Sequence, residues 1–345
     1  MPVKLTSPIV LLCSERSGSN LIAKVFDAHP KVSGPGAAHL FKVMSEVAHT
    51  FDPDSEDLRE AVLELFQAKV SAWQIDEMGI ETHRGLLENC ETAAQMCASL
   101  YQAEADRQGK QHVLLKENSA FAYLPMLSGI SSDLRLLFMV RDPRDMAVSW
   151  INGPVMRGGA IRAAERWLKD QSGTFRTFAT TGADIKKATL RYEDLLADPE
   201  IHLKRVCTEL KLDFSEEMLR FSEKSTSAKK DSGRSSMWSN LNKPLISGNT
   251  QKFRKSLTTE QIQYIETVCG DYMEVLGYPL VNDPATLPGT PEELAELRRS
   301  IEPIEPYDKP AYQELPQEER DRFEKWSRLY KQLSARAPRP VQVSK

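Results

Sequence analysis

The segment Pro8-Ile9-Val10-Leu11-Leu12-Cys13 runs straight into Ser14-Glu15-Arg16-Ser17-Gly18-Ser19-Asn20, after which Leu21, Ile22, Val25 and Phe26 take up helical spacing. An unbroken apolar run of this length reads as a strand covered on both faces, and a helix that opens directly from a loop of small residues keeps its first backbone N–H groups unpaired. Together they restrict the chain to the α/β class and place an anion site at the carboxyl end of its first strand. His112-Val113-Leu114-Leu115 and Leu134–Val140 also read as buried strands, and the second feeds into Asp142-Pro143, an N-cap with proline at the first helical position. Ala188–Arg191 is a fourth strand, before a helix opened by Asp198-Pro199. Further helices are predicted from Asp54-Ser55, with apolar positions running from Leu58 to Trp73, over about residues 92–108, and from Thr258-x-x-Gln261, a capping box, to Leu276. Strands alternating with helices predict one three-layer α/β/α domain over residues 1–280, built on a central parallel sheet.

Residues 281–345 change character, with prolines at 284, 288, 291, 303, 306, 310, 316, 338 and 340, close to half of the chain's 20. This density predicts a Pro-rich C-terminal arm with one amphipathic helix at about 315–333. Its stripe of Phe323, Trp326, Leu329, Tyr330 and Leu333 is expected to dock on the body or on a second copy of the chain, which would make a homo-oligomer through the arm. Lys and Arg total 45 against 49 Asp and Glu, so no general positive field draws the protein to nucleic acid or to an anionic membrane. No apolar run approaches the roughly 20 residues of a membrane span. Met1-Pro2-Val3-Lys4 leads almost directly into the first strand, so cytoplasmic residence is expected. The five cysteines are widely spaced and read as reduced core residues, and the six histidines lack metal-ligand spacing, so no metal is expected.

The chemistry concentrates in two segments. In Ser14–Asn20, Gly18 lets the backbone approach an anion, Ser17 and Ser19 add hydroxyl donors, and Arg16 supplies a permanent cation able to grip phosphate. A Walker A loop would place Lys and Ser or Thr after its last glycine; here Gly18 is followed by Ser19-Asn20, which argues against magnesium-nucleotide hydrolysis. In Arg141–Ser149, Arg141 lies at a strand end and Ser149 two helical turns on, so they meet on one anion only if the loop folds back.

Ser14–Leu21 resembles the 5′-phosphosulfate loop, and Arg141–Ser149 the 3′-phosphate site, of the P-loop-like sulfotransferases that use 3′-phosphoadenosine-5′-phosphosulfate (PAPS) and release 3′-phosphoadenosine-5′-phosphate (PAP). Arg191-Tyr192-Glu193-Asp194-Leu195 is similar to the family's Y-E-D-L segment, whose tyrosine lies near the adenine. Ser247-Gly248-Asn249-Thr250-Gln251-Lys252-Phe253-Arg254 resembles the loop that closes over the nucleotide. The resemblance covers about residues 8–278. It implies a P-loop NTPase-like fold without a required metal. Arg16, Ser17, Gly18, Ser19, Asn20, Arg141, Ser149, Tyr192, Ser247, Asn249, Lys252 and Arg254 would hold the nucleotide. Arg16 and Lys116, the latter matching the family's lysine after the equivalent strand, would stabilise the leaving phosphate. Asn118 stands where relatives of the aryl enzymes carry a histidine base, so the base is expected to be His39 or Glu117. The implied reaction is in-line sulfuryl transfer to a hydroxyl of a small-molecule acceptor. Sulfation of a sugar or glycolipid hydroxyl, a nucleotide-binding protein without transfer activity, and a P-loop phosphotransferase are the alternatives. The acceptor pocket is expected between the stretch from Trp150 to Gly182 and residues 40–108.

Overall fold

A computed structural model describes residues 4–131, 133–246 and 248–337. Five parallel strands form one sheet in the order β2-β3-β1-β4-β5: β1 Ile9–Cys13, β2 Val32–Ser33, β3 His112–Leu115, β4 Arg135–Val140 and β5 Lys186–Arg191. Alternation along each strand divides the core. Val10 and Leu12 of β1, with Leu136, Phe138 and Val140 of β4, face one cluster; Ile9, Leu11, Leu137 and Met139 face the other. Both faces are covered, which is why β1 and β4 are unbroken apolar runs in sequence. On one face lie the helices Ser19–Asp27 and Pro199–Glu209; on the other lie Leu40–Val47, Glu56–Ala68, Ala93–Arg107, Pro143–Ile151, Ala160–Thr180 and Thr259–Val275. This is the expected three-layer α/β/α architecture.

The chain leaves β1 toward β2 and β3 on one side and reaches β4 and β5 on the other, so the crevice beside β1 is a topological switch point. The loops after β1 and β4 open there. Local stops and starts follow the expected chemistry in most places: Ser55, Asp142, Asp198 and Thr258 each accept a hydrogen bond from the first helical turn. The helix opened by Ser55 ends at Ala68, short of the expected Trp73. Trp73 is instead extended, and its indole donates to the Gly36 carbonyl.

The proline-rich segment folds back onto the body. Two longer helices, Pro291–Ile301 and Gln317–Ser334, lie in it, and Ile301, Leu329, Tyr330 and Leu333 join the larger core cluster. Between them Glu305, itself buried, accepts the Gly159 and Ile161 N–H groups at 2.5 and 3.4 Å. The segment thus caps the Ala160–Thr180 helix, satisfying donors that the helix cannot pair internally.

Candidate active site

The loop after β1 is held open by its own backbone. Arg16 (φ 64°) and Gly18 (φ 91°) are both left-handed, and the Ser17 hydroxyl donates to the Ser14 carbonyl at 2.6 Å. A methyl group added at Gly18 would lie 2.5 Å from Cδ2 of Tyr192, so a glycine is needed for conformation and for space. Buried Ser19 and half-buried Asn20 form the first turn of the helix, whose N–H groups face the crevice. Ser17 therefore supports the loop from inside, its own N–H also turned to the Ser14 carbonyl at 3.4 Å, while the N–H groups that open the following helix are left for an anion.

Arg16 and Ser149 meet: the guanidinium Nε donates to the Ser149 hydroxyl at 3.0 Å. The loop after β4 does fold back as their joint use requires. Buried Arg141 donates to the Arg16 carbonyl at 3.1 Å and to the Asn249 carbonyl at 3.4 Å, and its guanidinium lies 4.4 Å from the Tyr192 ring centre. Its Nε is buried without a partner among the described residues. Burial and the Arg141 charge both lower the Arg16 pKa, with Glu15 opposing them, yet a guanidinium remains charged, so two cations stand close together at a cavity that Asp145 also lines. Arg16, Arg141, Ser149, Asn249 and Lys252 line one cavity of about 350 Å³.

The late loop is fixed to the same place. Asp145 accepts the Gln251 and Phe253 N–H groups at 2.6 and 3.0 Å, and Asn249 donates to the Tyr192 hydroxyl at 2.6 Å. Ser247 lies outside the described residues. Arg254 does not join the cavity: it is exposed, bonds Gln251, and lines a neighbouring groove beside Arg191. Met237, Ser236 and Pro154 complete the cavity wall, and sequence patterning gives no sign of them.

Lys116 sits at the end of β3, buried, and among the described residues its ammonium makes no hydrogen bond. Burial lowers its pKa; the nearby Cys13 and Glu15 raise it. It does not line the cavity but lies close enough to His39 for its charge to be felt there. His39 is half-buried, left-handed at φ 57°, and its Nδ1 is buried without a partner among the described residues. Burial, then Lys116, Lys42 and Arg166, hold its pKa well below the ordinary histidine range. The ring is neutral near pH 7.

Glu117 does not fit the catalytic role expected of it. It is fully buried, its carboxylate accepts the Tyr101 hydroxyl at 2.7 Å and the Lys42 N–H at 2.8 Å, and it thereby caps the Leu40–Val47 helix. A carboxylate so engaged has no free oxygen facing an acceptor. Asn118 donates to Glu15 at 2.9 Å, and Glu15 in turn lies 3.4 Å from Arg166. The residue in the histidine position is thus tied to the loop after β1.

A second, larger cavity of about 760 Å³ shares Pro154 with the first and is walled by the C-terminal segment, including Tyr312 and Trp326. Trp326 packs against His39 with ring centres 5.4 Å apart. Through Pro154, Val155 and Arg157 this cavity borders the Trp150–Gly182 stretch expected to help build the acceptor pocket. The Gln317–Ser334 helix forms another of its walls.

The segment 225–232 is tied down by buried polar contacts. Lys24 and Asp231, both buried, form an ion pair at 2.5 Å, and Asp27 accepts the Ser225 and Ser227 hydroxyls at 2.6 and 2.8 Å. This pins the segment to the Ser19–Asp27 helix that follows the β1 loop.

Among solved structures, the sulfotransferase domain of the Synechococcus PCC 7002 olefin synthase superposes with a TM-score of 0.50 at 18% identity, covering 86% of this chain and 95% of that one. The sulfotransferase domain from the curacin biosynthetic pathway gives 0.50 at 17%, covering 89% and 100%. Both are similar in fold. Carbohydrate sulfotransferase 5 of Mus musculus is 24% identical over 321 residues, 79% of this chain and 81% of that protein. Carbohydrate sulfotransferase 2 of Homo sapiens is 34% identical over 222 residues, 51% of this chain and 39% of that protein, so the chain spans about two fifths of the length of that relative. No described helix is long and apolar enough to cross a membrane, and among the described residues no group of three or more His, Cys, Asp or Glu side chains could hold a metal ion. The profile of the Sulfotransferase family matches residues 8–216, more than half of the chain and the whole stretch from β1 past Arg141 and Tyr192, and the chain belongs to that family.

Proposed function

We propose that this protein transfers a sulfuryl group from PAPS to a hydroxyl of an acceptor. The observation that carries this reading is the convergence of Arg16, Arg141 and Ser149 from two strand ends on one cavity, with the Arg141 Nε still unpaired. A nucleotide bearing phosphate at both ends matches two cations with separate attachments. Arg141 and Ser149 would hold the 3′-phosphate, which distinguishes this nucleotide from ATP. The Gly18 turn and the helix that follows would hold the 5′-phosphate.

The bound donor supplies an activated sulfuryl group whose leaving partner is a phosphate. Charge grows on the leaving oxygen during transfer, and Arg16 would meet it with a preorganised cation. Lys116, buried and without a hydrogen-bond partner among the described residues, adds a second positive charge from the end of β3. His39 takes the acceptor proton: the ring is neutral in the working pH range, and its Nδ1 has no competing donor among the described residues. The acceptor O–H bond breaks as its oxygen bonds to sulfur and the sulfur–oxygen bond to the phosphate breaks; the proton would end on His39 and the electron pair on the leaving phosphate.

The first reading of the acceptor is a small-molecule hydroxyl. The carbohydrate sulfotransferases to which the chain is similar favour a sugar hydroxyl as the second. Calorimetric titration with PAP and with ADP, in chelator without magnesium, tests the donor. Selective binding of PAP supports the reading. Equal or absent binding overturns it in favour of the phosphotransferase or of a protein without this donor. With the donor settled, Arg16→Ala and Lys116→Ala should each abolish most PAPS turnover in a folded protein.

A further inference from the structure

Resting on the reading just given, we infer that the cavity between the Gly153–Arg157 turn and the C-terminal segment is the acceptor seat, and that it takes a hydroxyl compound carrying a second, anionic group. Three observations carry this. The cavity adjoins the one that holds Arg16 and Arg141, Pro154 lining both. One of its walls is Trp326, whose ring packs against His39 and whose indole N–H is buried without a partner among the described residues. That N–H is a donor awaiting an acceptor oxygen.

The third observation is charge. Arg157, Lys309, Arg328 and Lys331 line the cavity against Asp308 and Glu324. Lys309 is engaged, donating to the Ile151 carbonyl at 2.6 Å. Among the described residues, Arg157, Arg328 and Lys331 have no carboxylate within ion-pairing distance, although Glu324 shares their wall. Three cations along an aromatic floor of Tyr312, Phe323 and Trp326 recognise a carboxylate, sulfate or phosphate attached to a flat or ring-shaped body.

The helix that carries Phe323 and Trp326 is tied to both halves of the site. At its start, buried Glu319 accepts the Ser235 hydroxyl at 2.6 Å and the Ser236 N–H at 3.1 Å, and Ser236 lines the nucleotide cavity. Farther along, Tyr330 donates to Glu46 at 2.8 Å and stacks on Trp326. The seat is therefore held in register with the donor rather than hung on a loose arm.

The test uses two pairs of probes that differ by one carboxylate: 4-hydroxyphenylpropanoate with its methyl ester, and phenyl β-D-glucuronide with phenyl β-D-glucoside. Each is titrated into the full chain with and without PAP. At least one acid should bind tenfold or more tightly than its neutral partner, and the pair that responds tells an aromatic acceptor from a sugar. Arg328→Ala/Lys331→Ala should remove the preference, and Trp326→Leu should weaken both members of the pair at least tenfold. PAP affinity should stay within threefold of wild type in these variants. Equal binding of acid and neutral partner, absence of binding by all four, or unchanged binding by Trp326→Leu overturns the inference. Failure of the wild type to bind PAP would instead overturn the donor reading, and the probe pairs in the free protein would still decide the seat.

Discussion

Replacing Arg141 by alanine should weaken PAP selectively. The guanidinium bridges two loops through the Arg16 and Asn249 carbonyls and keeps its Nε unpaired beside the cavity. A fork facing a phosphate makes two charge-assisted hydrogen bonds, each contributing about 1.5–3 kcal/mol. Water entering the space left by the side chain offsets part of that, which leaves a loss of about 3–4 kcal/mol, or roughly 100- to 1,000-fold in Kd. The loss belongs to the 3′-phosphate, so ADP, which lacks it, should weaken less than threefold. Arg141→Lys keeps the charge without the fork and should fall between the two. Calorimetry with both nucleotides on the three proteins, with urea unfolding to confirm the fold, is the assay. Equal loss for PAP and ADP would refute the reasoning, because Arg141 would then be acting only by bracing the Arg16 loop.

The remaining predictions concern the base, the loop and its support. Because His39 titrates well below 6.5, kcat/KM should be flat through neutrality and fall only as pH drops below the usual histidine range; His39→Asn should lower kcat by on the order of 10²–10⁴-fold. Lys116→Met removes one of the charges that depress His39, so the acid limb should move upward toward pH 6.5, and a limb that stays in place contradicts the proximity argued for the two. Gly18→Ala should cost about 1–2 kcal/mol for the left-handed backbone, push Tyr192 aside and lower PAP affinity, as read by urea unfolding and titration. Lys24→Met leaves Asp231 buried and unpaired and should destabilise by about 3–5 kcal/mol in urea, with Lys24→Met/Asp231→Asn recovering part of it.

What sequence patterning reveals of this molecule depends on how local each cause is. β1 and β4 are legible because a strand buried on both faces must be apolar throughout, and the caps at Ser55, Asp142 and Thr258 because a cap is a bond to a residue two or three positions away. β2 is only two residues long and has no periodicity to read. The Ala160–Thr180 helix buries Asp170, Gln171, Thr174 and Thr177 along with its apolar residues, so its inner face does not look apolar.

The site divides in the same way. Arg16, Gly18, Arg141 and Ser149 stand in short segments whose residue types suit an anion, and the fold brings them together. The displacement of Glu117 into a helix cap has no signature, since nothing near it in sequence distinguishes a carboxylate facing solvent from one facing the N–H groups of residues 40–42. Contacts such as Trp326 with His39, or Glu319 with Ser236, join residues far apart in the chain. They arise from how the proline-rich segment folds back, and the apolar stripe that drives this is visible although its destination is not.

The most direct measurement of the central claim is a crystal structure of the full chain with PAP. The account predicts the 3′-phosphate on Arg141 and Ser149, and the 5′-phosphate on the N–H groups after Gly18 within reach of Arg16. PAP bound elsewhere, or bound with its 3′-phosphate turned to solvent, would contradict it.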